Sequence, residues 1–164
     1  MRAYNRVMGG DDDAGLQEFV ATRYPHLRRS AFLMCGDWAV AGEVVEQALA
    51  RLVTDLTRGP VDDPDGYAYA EVMAAFPRGR SRREPVFVAP PGDPAADPTE
   101  TILLLAALQK LAPQCRAVLV LRHWDGMQFV EIADVLGLPA ERVEEYDAAG
   151  LRALGSLVGD LVAP

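Results

Sequence analysis

Residues 85–98 read PVFVAPPGDPAADP, and no other stretch of this 164-residue chain restricts its fold as much. Five of the twelve prolines fall there. Proline has no amide hydrogen to give a helix or a central strand, and it pushes the residue before it toward extended backbone. The segment therefore reads as a semi-extended, Pro-rich linker. It divides the chain into two pieces, 14–84 and 99–160, each of a size that buries only a modest core.

On both sides of the linker the apolar residues recur at helical spacing, and nothing alternates with a period of two over a useful length. Leu16, Phe19, Val20, Tyr24, Leu27 and Ala31 share one face of a first helix, with Asp13 as its cap. Pro25 is expected to kink that helix or shift its start. Gly36–Asp37 breaks the chain before a second helix, Trp38 to Leu56, with Val40, Val44, Ala48 and Leu52 facing inward. Asp63–Pro64 opens a third, because aspartate caps well and proline suits the first turn. Its expected core is Tyr67, Val72 and Phe76, and Pro77 ends it.

Beyond the linker, Asp97–Pro98 starts a helix with Leu104, Leu105, Leu108 and Leu111 inside, and Pro113 starts another with Val118, Leu119 and Leu121 inside. After the turn Trp124-Asp125-Gly126, a short helix from about Gln128 to Leu136 ends at Gly137, which suits a left-handed cap. Pro139 then introduces the last helix. The expectation is an all-α fold of two small helical lobes.

The net charge is −8, and the only basic clusters are Arg28–Arg29 and Arg78, Arg80, Arg82, Arg83. A protein that binds nucleic acid through a broad basic face is not what this composition describes. Cys35 and Cys115 stand alone among apolar neighbours, as buried thiols of a reducing cytoplasm do. The start, MRAYNRVMGGDDD, lacks the apolar core of a secretory leader, and the apolar run Ile102–Leu108 is too short to span a bilayer. The expectation is a cytoplasmic chain without membrane contact. His26 and His123 lie far apart in sequence, and no metal-ligand spacing, phosphate loop or nucleophile motif stands out. No enzyme, metal site, cofactor or small-molecule substrate is expected.

The order of the pieces carries more information than any one of them. FVATRYPHLRRSAFLMCGD, AVAGEVVEQALARL and VDDPDGYAYAEVMAAF precede the linker, and LQKLAPQCRAVLVLRHWDGMQFVEIADVLGLPAERVEEYDAAGLRAL follows it. Together they resemble the extracytoplasmic-function sigma factors of bacterial RNA polymerase, of the actinobacterial sigma-E-like type. The resemblance implies a region-2-like helical lobe over 14–84 and a region-4-like helix-turn-helix lobe over 99–160. It also implies core RNA polymerase as a partner, an anti-sigma factor or other regulatory protein as a second, and promoter DNA as a target.

The family docks on polymerase through its second helix, in a pattern like Ala-Glu-Asp-Leu-Val-Gln-Glu. Here the stretch reads Ala41-Gly42-Glu43-Val44-Val45-Glu46-Gln47, an acidic outer face with one acid replaced by glycine. The residues implied for that contact are Glu43, Glu46, Gln47 and Arg51. The third helix of the family reads and melts the promoter with basic and aromatic side chains. The residues here that could do so are Tyr67 and Tyr69, followed by Arg78, Arg80, Arg82 and Arg83. Where basic or asparagine residues would be expected, the helix carries Ala70, Glu71, Ala74 and Ala75.

The family's recognition helix runs Ser-Val-Gly-Thr-Val-Lys-Ser-Arg. The matching residues are Pro139, Ala140, Glu141, Arg142, Val143, Glu144, Glu145 and Tyr146, so lysine has become Glu144 and the phosphate-binding serine Glu145. Arg142, Glu144, Glu145 and Tyr146 are the positions that would meet DNA or a protein partner. Asp147, four residues after Val143, stands where the packing face calls for leucine, and must reach water, gain a partner or take a proton. Two readings follow. One is a sigma factor that directs polymerase to promoters through weak or atypical DNA contacts. The other is a sigma-like interaction protein that binds polymerase, an anti-sigma factor or another regulator without specific DNA binding.

Overall fold

The computed structural model describes residues 12–76 and 98–162, and within them the chain forms seven α-helices and no strand. α1 spans Asp12–Cys35, α2 Trp38–Arg58, α3 Pro64–Ala75, α4 Pro98–Lys110, α5 Pro113–Leu119, α6 Phe129–Leu136 and α7 Ala140–Val162. A five-residue π-helical turn, Val120–Trp124, continues α5. The expected linker and the Arg78–Arg83 cluster lie outside the described residues.

The helix ends follow local chemistry. Asp37 accepts from the amides of Ala39 and Val40 at the start of α2. Asp63 accepts from Gly66 at the start of α3, with Pro64 as first helical residue, so two otherwise orphaned donors are satisfied at each site or removed. Gln128 and Glu131 form a reciprocal capping box on α6, whose end is Gly137 at φ 62°, a left-handed conformation that costs glycine nothing. α1 continues through Pro25 from Asp12 without a fresh start. Proline there forfeits one backbone hydrogen bond, which the burial of Leu27, Ala31 and Phe32 just beyond it outweighs.

The buried faces are rotated slightly from the sequence expectation. On α2 the deeply buried residues are Ala41, Gly42, Val45, Ala48, Leu49 and Leu52, while Val40 and Val44 are half-buried. On α3 it is Ala68, Tyr69, Val72 and Met73 that are buried, and Tyr67 turns its hydroxyl to Asp55 at 2.5 Å. Leu104 of α4 is 44% exposed, whereas Leu105, Leu108 and Leu111 are buried. Val118, Leu119 and Leu121 are buried as expected. None of these three differences changes the fold, because each helix still offers an apolar stripe to the core.

The two halves share one core. Leu27, Val45, Leu52 and Val72 from α1–α3 belong to the same buried cluster as Leu105, Val118, Leu121, Ile132 and Val143 from the second half. α1 packs on α4, α5 and the π turn, and α3 packs on α6. No helix among the described residues is long and apolar enough to cross a membrane.

Candidate functional site

Three surfaces and one interior contact carry the candidate residues. On α2, Glu43, Glu46, Gln47 and Arg51 are all exposed on the side away from the core. Glu46 accepts a long hydrogen bond from the Tyr24 hydroxyl at 3.3 Å, and Arg51 pairs with Glu71 of α3 at 2.5 Å. Gly42, which stands for an acid in the family pattern, is not on that outer face. A Cβ there would meet the Arg28 guanidinium at 3.2–3.3 Å. Arg28 crosses at this point to stack on the Trp38 ring, 4.4 Å from its centroid, and donates to the Trp38 carbonyl. Glycine keeps the crossing open, and the acidic outer face does not need that position.

On α3 the two tyrosines part company. Tyr67 is half-buried and donates to Asp55, which lifts its hydroxyl pKa above the usual range. Tyr69 is 8% exposed and lies against the second half of the chain. Its hydroxyl donates to Asp125 Oδ1 at 3.0 Å, and burial is the main reason its pKa is driven far up. In this arrangement Tyr69 cannot stack on a base.

The recognition-like start of α7 is acidic in space as well as in sequence. Glu141, Glu144 and Glu145 are exposed, while Val143 is fully buried. Arg142 is held within the helix: its guanidinium pairs with Glu145 at 2.6 Å and lies 5.2 Å from the Tyr146 ring centroid. The one basic side chain of the stretch is thus already occupied. Asp147 has taken the second of its three options, meeting His123 Nε2 at 2.8 Å with its side chain 14% exposed.

Two interior residues that sequence reasoning passed over hold the halves together. Arg116 is buried, and its guanidinium donates to five oxygens: Leu108 O, Met34 O, Gln109 O, Gln109 Oε1 and Leu111 O, at 2.6–3.1 Å. It fills the place where the C-terminal carbonyls of α1 and α4 converge, a site of partial negative charge that favours a cation. Burial lowers its pKa but leaves an arginine charged. Asp125 is the other. Ser30 Oγ lies 2.8 Å from both its oxygens, and Tyr69 donates to Oδ1, so α1 and α3 both meet the turn after the π helix there. The signal for Arg116 was present in CRAVLVL, where an arginine interrupts an apolar run; for Asp125 only the turn was visible.

Cys35 and Cys115 are free and half-buried, and burial raises both thiols, as expected of inert cysteines. Among the described residues no group of three or more His, Cys, Asp or Glu is arranged to hold a metal.

Residues 101–154 match the family described as Sigma-70, region 4. The RNA polymerase sigma-E factor of Streptomyces coelicolor is 34% identical over 160 residues, covering 90% of this chain and 86% of that protein. The sigma-E factor of Streptomyces avermitilis is 32% identical over 137 residues, covering 78% and 76%. Among solved structures, the sigma factor RpoE of Bartonella quintana, in complex with the anti-sigma factor NepR, shares the fold with a TM-score of 0.75. That match covers 88% of this chain and 97% of the other, at 16% identity. The helix order, the helix-turn-helix with its left-handed glycine and the identity along most of both chains agree: this chain belongs to the sigma-E-type RNA polymerase sigma factors.

Proposed function

We propose that the chain is a working initiation factor that binds core RNA polymerase through the outer face of α2 and brings it to promoters through few and weak contacts from α7. Its role is regulatory rather than catalytic, and its place is the cytoplasm. The observation that carries this reading is the sigma-E likeness running through both halves, with Glu43, Glu46 and Gln47 exposed along α2. The relatives are sigma factors, so no observation favours a chain that has given up promoters altogether. A fold neighbour captured with an anti-sigma factor supports such a regulator as second partner.

Charge on α2 is testable directly. Glu43→Arg with Glu46→Arg should weaken capture of core polymerase about tenfold, mostly by slowing association, with a changed salt dependence. Surface plasmon resonance at two ionic strengths reads both effects. Unchanged association kinetics in a folded double variant would remove α2 from the docking surface.

A further inference from the structure

A cleft of about 320 Å³ opens where the end of α3, the start of α5, the end of α6 and α7 come together. Its walls are mostly apolar: Met73 and Ala117 are buried, and Phe76, Leu136 and Leu138 are half-buried, as is Tyr146. Just before Tyr146 on α7, the exposed Glu141 and Glu145 stand against a single cation, Arg142, which pairs with Glu145 and stacks on Tyr146. The cleft also holds the point where the chain leaves the first half. Phe76, one of its walls, is the last residue described before Pro98.

We propose that this cleft is a docking site for the chain's own residues 78–88. Prolines aside, the large apolar side chains of residues 77–97 are Val86, Phe87 and Val88, and they stand together. Seating Phe87 in the cleft removes apolar surface from water on both sides of the contact. The tether permits it. Val86 stands ten residues after Phe76, a reach of up to about 33–36 Å. So short a tether holds the segment at an effective concentration of the order of millimolar, so modest complementarity is enough. Pro85 and Pro90 push the residues before them toward extended backbone, which lowers the cost of ordering the segment. Charge agrees as well. Arg78, Arg80, Arg82 and Arg83 against Glu84 give residues 77–84 a formal charge of +3, and that run begins beside the cleft that borders Glu141 and Glu145. The inference concerns the chain alone and stands whether or not α7 meets a promoter.

Photo-cross-linking of the full chain tests it, with p-benzoylphenylalanine in place of Phe87 and the products mapped by mass spectrometry. The expected product is an intramolecular cross-link to peptides holding Met73, Leu138 or Tyr146, in a yield independent of protein concentration. Ala74→Glu puts a carboxylate on the cleft wall at an exposed helical position that the fold tolerates. It should lower that yield about tenfold. Cross-links between two copies, cross-links spread over the surface, or a yield that Ala74→Glu leaves unchanged overturn the proposal. Hydrogen exchange on the chain without the photoprobe gives an independent reading. Phe87→Asp should speed exchange about tenfold at amides of residues 70–76 and 134–146 and leave α2 unchanged. Equal exchange in wild type and Phe87→Asp would show that the segment does not occupy the cleft.

Discussion

Replacing Arg116 with alanine is expected to be the most damaging single change in the chain, lowering stability by about 3–5 kcal/mol. Its guanidinium serves oxygens of Leu108, Gln109 and Leu111 at the end of α4 and the Met34 carbonyl at the end of α1. Alanine would strand several of these in a buried place, and an unmet buried acceptor costs about 1–3 kcal/mol where water cannot enter. The sum stays below the arithmetic maximum because an opened site admits some water. Arg116→Lys keeps the charge but has three donors in place of five and no planar fork, so it should recover only part of the loss. Thermal melts by circular dichroism should rank wild type above lysine above alanine. Alanine should fall by roughly 10 °C, on the scaling of about 2–4 °C per kcal/mol for chains of this size. A melt unchanged by Arg116→Ala would mean that the convergence of the two helix ends contributes nothing to holding the halves.

That residue also marks the boundary of what the sequence could disclose. Helix starts and stops were legible because each is a local negotiation: Asp63 with Gly66 three residues on, Gln128 with Glu131, Gly137 at its own φ. The polarity of the α7 start was equally plain, since Glu144 and Glu145 must lie outside if Val143 lies inside. The rotation of α2 by one position was not. Val44 and Val45 are both apolar, and the choice between them depends on which helix comes to cover them. Arg116 meets Met34 across 82 residues and Asp125 meets Ser30 across 95. Contacts at such separation leave no periodicity along the chain. A buried polar residue near them therefore reads as an oddity until the fold supplies its partner.

The second large effect is expected at the opposite pole of the molecule, where polar groups face outward. In the full chain, Glu144→Lys together with Glu145→Ser should raise affinity for duplex DNA at low salt by at least about tenfold, and steepen its dependence on salt. Two changes act at once. Lysine at 144 replaces repulsion of the phosphates by a contact that releases a counterion, adding roughly one unit to the salt slope. Serine at 145 removes the carboxylate that holds Arg142 at 2.6 Å, so the guanidinium is freed from its partner inside the helix and can turn to phosphate. Tyr146 still stacks on it and keeps it near the helix surface. Glu145→Ser alone should accordingly gain part of the effect, and adding Arg142→Ala should erase that part. Fluorescence anisotropy with labelled duplexes at two salt concentrations measures all four proteins. The full chain is the right material, because the α4–α7 half shares its core with α1–α3 and would expose Val118 and Ile132 if cut away. Should the unmodified chain already bind duplex tightly, the acidity of α7 would not govern its contact with DNA. Should the double variant gain nothing, the segment Pro139–Gly150, with its formal charge of −3, would not face DNA at all, and its acids would be left to a basic protein surface.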